Sequence, residues 1–226
     1  ASVAEVANVT VSVGNDERGL ARMMRLLIDK RLSPFEAREI PTLGLRQGHL
    51  GEMHFDDCLV PLENVMGQAG DAARILTLTW LGNRPLVGMA AVGMAQRAFD
   101  LALEYAGNRE QFGKAIAGHQ LIQGRLVDIE EAIITARLLC LHALAALDAG
   151  ERANHISAMA KRYACAAAER AVSSAMHVFG GMGIARETGI EQLNRDVRMF
   201  AVPDGTYEIL TLIAGRESTG VAAYRA

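Results

Sequence analysis

Three short stretches hold the residues with chemistry in them. They are His177-Val178-Phe179-Gly180-Gly181-Met182-Gly183, then Arg195-Asp196-Val197-Arg198, then Pro203-Asp204-Gly205-Thr206-Tyr207-Glu208-Ile209. Asp204 sets a carboxylate beside a residue with no Cβ, just ahead of helix-forming sequence. A helix opening there aims unpaired backbone N–H groups at whatever docks in front of it. The same residues also suit a plainer reading, with Asp204 or Thr206 as an N-cap and the glycines as helix punctuation. The run Gly180-Gly181-Met182-Gly183 follows helix-forming residues rather than a strand, so it is no dinucleotide fingerprint.

These stretches must be positioned by helices. Asp71 can cap one that reaches about Gly107, with Pro85 inside it predicting a kink rather than a stop. After a loop holding Gln111-Phe112-Gly113-Lys114 comes a second. Its Leu126, Ile129, Ile133, Ala136, Cys140, Ala143 and Leu147 fall at spacings of three and four, one apolar stripe of an antiparallel bundle ending at Asp148-Ala149-Gly150. A third, over about 154–178, is dense in alanine from Ala164 to Ala171, so a neighbour can approach closely. A last helix spans Thr206 to about Arg216, giving four.

Upstream, residues 8–14 alternate at period two with β-branched side chains and read as a strand turning at Gly14-Asn15-Asp16. Residues 23–30 fit a short helix or a buried strand equally well. Residues 48–55 and 58–61 look like strand with a bend, and Gly67-Gln68-Ala69-Gly70 marks a boundary. The expected fold is mainly α: an antiparallel four-helix bundle over 69–226, preceded at 1–68 by part of a β-barrel-like domain.

With 23 Lys and Arg against 26 Asp and Glu, the net charge of −3 leaves no basic footprint, which argues against nucleic acid as a partner. Cys58, Cys140 and Cys165 are too few and too scattered for a disulfide framework or a zinc site, so no metal is expected and the thiols read as reduced, in a cytosol-like compartment. No signal-peptide pattern opens the sequence and no run approaches ~20 uninterrupted apolar residues, so a membrane span is not expected.

Several ordered blocks together resemble the acyl-CoA dehydrogenases: Asn108-Arg109-Glu110-Gln111-Phe112-Gly113-Lys114-Ala115-Ile116 with His119-Gln120, then Val178-Phe179-Gly180-Gly181-Met182-Gly183, Arg195-Asp196-Val197-Arg198 and Asp204-Gly205-Thr206-Tyr207-Glu208-Ile209. Residues 51–61 look like the end of that family's middle β-domain. The resemblance implies a chain that begins part-way through that domain, without the family's N-terminal helical domain.

It also implies a chemistry. In that family a carboxylate removes the α-proton of an acyl thioester while the β-hydrogen leaves as hydride to FAD, giving a trans-2-enoyl thioester. An α-proton is so weak an acid that the thioester carbonyl must be polarised. The resemblance gives that task to the backbone N–H at Asp204 and a hydroxyl of FAD, and the proton to the Asp204 carboxylate. Glu is commoner there; Asp is one methylene shorter, and an ångström of misplacement can cost on the order of a hundredfold in rate. Members that carry the base on the first bundle helix have it where Asn83 stands, and asparagine cannot take a proton.

Arg84 matches an arginine near the catalytic loop, a surface ion pair being the alternative; with Asn83 and Gly205 it makes the expected substrate contacts. For FAD the resemblance implies Arg109, Gln111, Phe112, Ile116, His119, Gln120, His177, Gly180, Gly181, Thr206 and Glu208, some acting across a dimer, although the family frequently has Gln at His177. The partners implied are acyl-CoA or an acyl carrier protein, an electron-transfer flavoprotein, and a second copy in a homodimer or homotetramer, in the cytoplasm or a mitochondrial matrix. Two other readings stand beside this one: a flavin-dependent monooxygenase of the same fold, whose members generally lack the Asp204 carboxylate, and a non-catalytic subunit of a mixed oligomer.

Overall fold

A computed structural model describes residues 2–17 and 19–223. Two compact units divide between Thr79 and Trp80.

The first unit holds β1 (Val6–Asn15), β2 (Ala21–Asp29), β3 (Glu36–Glu39), β4 (Gly51–His54) and β5 (Val65–Met66). β2 lies in the middle of an antiparallel sheet between β1 and β5, while β3 and β4 pair separately. The register Thr10↔Arg25 and Val6↔Asp29 settles the ambiguous 23–30 segment as strand, because the β-branched residues of β1 give it a partner. Gly14, at φ 106°, sits where that register shifts between Ser12 and Asn15, a bulge before the turn. Ala7, Ile28 and Phe35 form the small core.

Residues 58–61 are not strand, contrary to the sequence reading. Asp57 turns the chain into the left-handed region at φ 43°, and Pro61 has no N–H to give a ladder. The Leu59 carbonyl instead accepts the Ser33 hydroxyl at 2.5 Å.

The second unit is helical. α1 (Ala72–Asn108) crosses the division; β6 (Glu110–Gln111) and β7 (Lys114–Ala115) form a small hairpin; then follow α2 (Gln120–Asp148), α3 (Asn154–Val178), α4 (Ile190–Val197) and α5 (Tyr207–Thr219). Ala91, Ala95, Ala98, Ala102 and Ala106 present one bare face of α1 to the core. On α2 the buried stripe is the expected one except at its end, where Ala146 replaces Leu147. The true helical period of 3.6 rotates a residue four beyond Ala143 partly outward. Alanines of α3 complete the core, and their small side chains let the helices pack closely.

α4 is a fifth helix that the sequence reading did not anticipate. Its eight residues are mostly polar, and only Ile190, Asp196 and Val197 are buried. By length and composition α1 could cross a membrane; here its alanine face packs inside the bundle, and a bundle's core helix meets the same criteria. α1 continues through Pro85, which is buried within it.

Candidate active site

The two cofactor-facing halves of the expected site lie at opposite ends of α3. At one end, a 3-10 turn over Arg198–Ala201 and a short loop lead to α5. In that loop Asp204 is left-handed at φ 56° and Gly205 follows at φ 114°. A non-glycine residue held there costs about 1–2 kcal/mol, so the surroundings must over-determine it. They do so with two buried cations. Arg84, 4 % exposed, donates from Nε to the Asp204 carbonyl at 3.1 Å and from Nη1 to Asn154 Oδ1 at 3.3 Å. Its guanidinium carbon also stands 5.8 Å from the centre of the Trp80 ring. Lys161, fully buried on α3, donates to the Gly205 carbonyl at 2.5 Å and the Ala201 carbonyl at 3.3 Å.

Burial lowers the basicity of both cations, and the nearby Asp204 charge opposes that effect at each. Arg84 is therefore no surface ion pair. The Asp204 carboxylate is half-buried and accepts no hydrogen bond from the described residues. Asn83 sits half-buried one residue before Arg84.

Thr206 takes the N-cap position of α5 without a side-chain capping bond. Its side chain instead hydrogen-bonds Glu208, which holds that carboxyl below its ordinary value, helped by the backbone N–H of Glu208 itself. The plain capping reading is thus right for the place of Thr206 and leaves Asp204 outside the helix.

Some 16 residues further along α3, or ~24 Å at 1.5 Å per residue, a cleft opens at the other end of that helix. The volume is 420 Å³, and Arg109, Gln111, Ile116, His177, Gly180 and Gly181 line it together with Met182 and a stacked pair of rings, Tyr105 and Phe179, 4.4 Å apart. A second cleft of 480 Å³ shares Gln111 and Ile116 and adds Phe112, His119 and Gln120. Nine of the predicted cofactor residues therefore fall on one continuous surface.

The local backbone explains how. The pair Gln111↔Lys114 closes a two-residue turn in which Phe112 (φ 54°) and Gly113 (φ 80°) are both left-handed. Phe112 is 93 % exposed, and its ring meets the His119 ring edge-on at 5.9 Å. His119 Nε2 lies 3.1 Å from the Gln111 carbonyl, and Ile116 N–H donates to the Arg109 carbonyl at 2.7 Å, so the hairpin is fixed to the start of α2. The Arg109 guanidinium is exposed and bonds to no described residue.

Gly180 is left-handed at φ 56°, which ends α3. Gly181 is different: it has an ordinary φ, and a Cβ there would meet nothing within 4 Å. Of the glycines in this run, Gly183 is the one required by internal packing, since a Cβ would lie 2.3 Å from the Met176 carbonyl.

The sequence reading missed Lys161 and the Tyr105–Phe179 stack. A signal for Lys161 existed: it stands four residues after Ser157 and four before Cys165, on the buried face of α3.

A strained carboxylate turn thus lies near one end of α3 and a glycine-lined cleft at the other. Residues 71–219 match the acyl-CoA dehydrogenase C-terminal domain, and the chain belongs to that family. Cyclohexane-1-carbonyl-CoA dehydrogenase of Geobacter metallireducens is 30% identical over 215 residues, 95% of this chain and 57% of that protein. Among solved structures, butyryl-CoA dehydrogenase from Megasphaera elsdenii superposes with a TM-score of 0.90 at 28% identity, covering 95% of this chain and 56% of the other. An FAD complex of PigA superposes at 0.89 with 25% identity, covering 96% and 56%. The chain thus spans a little over half the length of these relatives.

Proposed function

We propose that this chain carries the base and much of the cofactor surface of an FAD-dependent dehydrogenase that converts an acyl thioester, such as an acyl-CoA, to its trans-2-enoyl form. The observation that carries this reading is the Asp204 carboxylate: it is free of internal hydrogen bonds, yet its backbone is pinned in a left-handed turn by Arg84 and Lys161. A carboxylate with unfilled lone pairs can accept a proton from carbon, and a fixed backbone sets its reach.

The residues present fit FAD. Arg109 offers an unpaired planar fork for phosphate oxygens, Phe112 holds an exposed ring in a costly conformation, and Gly181 keeps backbone bare. Bound FAD supplies the hydride acceptor. Thr206, the N-cap of α5, and Glu208 in its first turn follow closely on Asp204, whereas Arg109, Gln111, His177 and Gly180 stand ~24 Å away along α3. That separation suits a cofactor shared between two copies, with one copy contributing the base and the other the phosphate contacts. A homodimer or homotetramer passing electrons to an electron-transfer flavoprotein completes the reading.

Anaerobic mixing of the FAD-loaded protein with a panel of acyl-CoAs tests it. Bleaching of the flavin by at least one of them is expected, and Asp204→Asn should abolish bleaching while FAD stays bound. Turnover surviving in Asp204→Asn would remove Asp204 as the base.

A further inference from the structure

Lys161 is fully buried, and both hydrogen bonds of its ammonium go to backbone around Asp204. A lysine that merely filled space on α3 would be more cheaply a methionine, because an ammonium taken out of water must recover its lost hydration from ideal partners. Its partners are the carbonyls of Ala201 and Gly205, which bracket Asp204, while Arg84 holds the carbonyl of Asp204 itself. Three carbonyls of one short loop are thus capped by two cations from different helices.

We propose that Lys161 is a positioning residue for Asp204, clamping the 201–205 loop in its left-handed form and so fixing where the carboxylate reaches. The proposal rests on the reading of Asp204 as the base. The charged and titratable groups around the clamp are Arg84 from α1, Lys161 and Cys165 from α3, and Asp204 itself. Arg84 supports the same loop and repels the ammonium, and that repulsion is offset by the carbonyls each cation holds and by the Asp204 charge near both. Neither cation reaches the Asp204 carboxylate by a hydrogen bond, which leaves it open to substrate.

The test uses the full chain in two variants, Lys161→Met, which removes charge and donor, and Lys161→Gln, which keeps a neutral donor should the first fail to fold. Peptide-level amide hydrogen exchange is read first and needs no substrate. Residues 201–206 should exchange at least about tenfold faster in Lys161→Met, the factor carried by one hydrogen bond where two are lost, with α2 unchanged. Equal protection of that loop in variant and wild type overturns the clamp. Next, butyryl-CoA in D₂O with FAD-loaded protein reports the rate of α-proton exchange. Both variants should exchange more slowly with KM little changed, because a loosened loop no longer holds the carboxylate at its reach. Exchange at the wild-type rate in both variants overturns the positioning role. If wild type exchanges no proton from butyryl-CoA while Asp204→Asn is equally silent, the dehydrogenase reading fails for that substrate, and the amide exchange still decides the clamp.

Discussion

Ser157 donates its hydroxyl to the carbonyl of Leu81 at 2.7 Å, and that carbonyl is the one Pro85 leaves without a helical donor. Proline at 85 has no N–H for the residue four before it, and Ser157, buried on α3, supplies the missing bond. The serine also lies one turn before Lys161, so the same face of α3 repairs α1 and holds the Asp204 loop.

Removing the repair should be costly. Ser157→Ala leaves a buried carbonyl unpaired and should lower stability by about 1–3 kcal/mol in urea unfolding. In a Pro85→Ala background the helix regains its own donor, so the same substitution should cost less than half as much. Equal costs in the two backgrounds would mean the bond is incidental.

Two glycines should separate fold from site. At Gly205 the φ of 114° is hostile to a side chain, and a Cβ would come within 3.3 Å of Leu210 Cδ2. Gly205→Ala should therefore destabilise by about 1–3 kcal/mol. Gly181→Ala faces open space and should leave thermal unfolding of the FAD-free protein unchanged while reducing FAD retained per chain, read from the visible spectrum. Normal flavin content in Gly181→Ala would remove that glycine from the cofactor surface.

How much of this was legible beforehand depended on whether residues act locally or through the fold. The stripe on α2 and the ends of α3 were readable because 3.6-residue periodicity and a glycine stop are local properties. The cleft residues were named only through the family resemblance, which the contiguous blocks Arg109 to Gln120 and His177 to Gly181 carry. Lys161 was passed over, since a lysine in a helix usually marks the solvated side; its register with Ser157 and Cys165 hinted at burial, but its role shows only in its partners, 40 and 44 residues on. α4 was hidden by its polarity and brevity, and the 58–61 strand was suggested by Leu59 and Val60 where Asp57 and Pro61 forbid it.

Alkaline pH should weaken the bundle. Burial pushes Cys140 up from 9.0 to about 12 and Cys165 from 9.0 to about 11, and Tyr207 from 10.0 to about 12. Groups whose folded values are raised contribute stability that is complete below their unfolded values and lost as pH rises through the folded ones. Lys161 has the opposite sign: burial lowers it from 10.5, so its contribution improves as pH climbs toward that value. Three losses against one gain predict a urea midpoint that falls between pH 9 and about 11. Cys140→Ala should flatten the fall and Lys161→Met should steepen it; a midpoint independent of pH across that window would contradict the assignment.

The hairpin turn offers the sharpest trade between stability and function. Phe112 is left-handed at φ 54° with its ring 93 % exposed, so the fold gains little from the side chain and bears its backbone strain. Asn followed by glycine is the preferred pair for a two-residue turn with both φ values positive, and Gly113 already occupies the second place. Phe112→Asn should therefore stabilise the FAD-free protein by about 1 kcal/mol in thermal or urea unfolding, against a small loss from the His119 contact. The same change removes the exposed ring from the cleft that holds His119 and Gln120, and should reduce the FAD retained through gel filtration. Opposite movement of the two readouts is what a strained binding residue requires. A variant that is stabilised and keeps its flavin would show that the ring has no part in cofactor binding, and one that is destabilised would show that the strain is compensated within the chain itself.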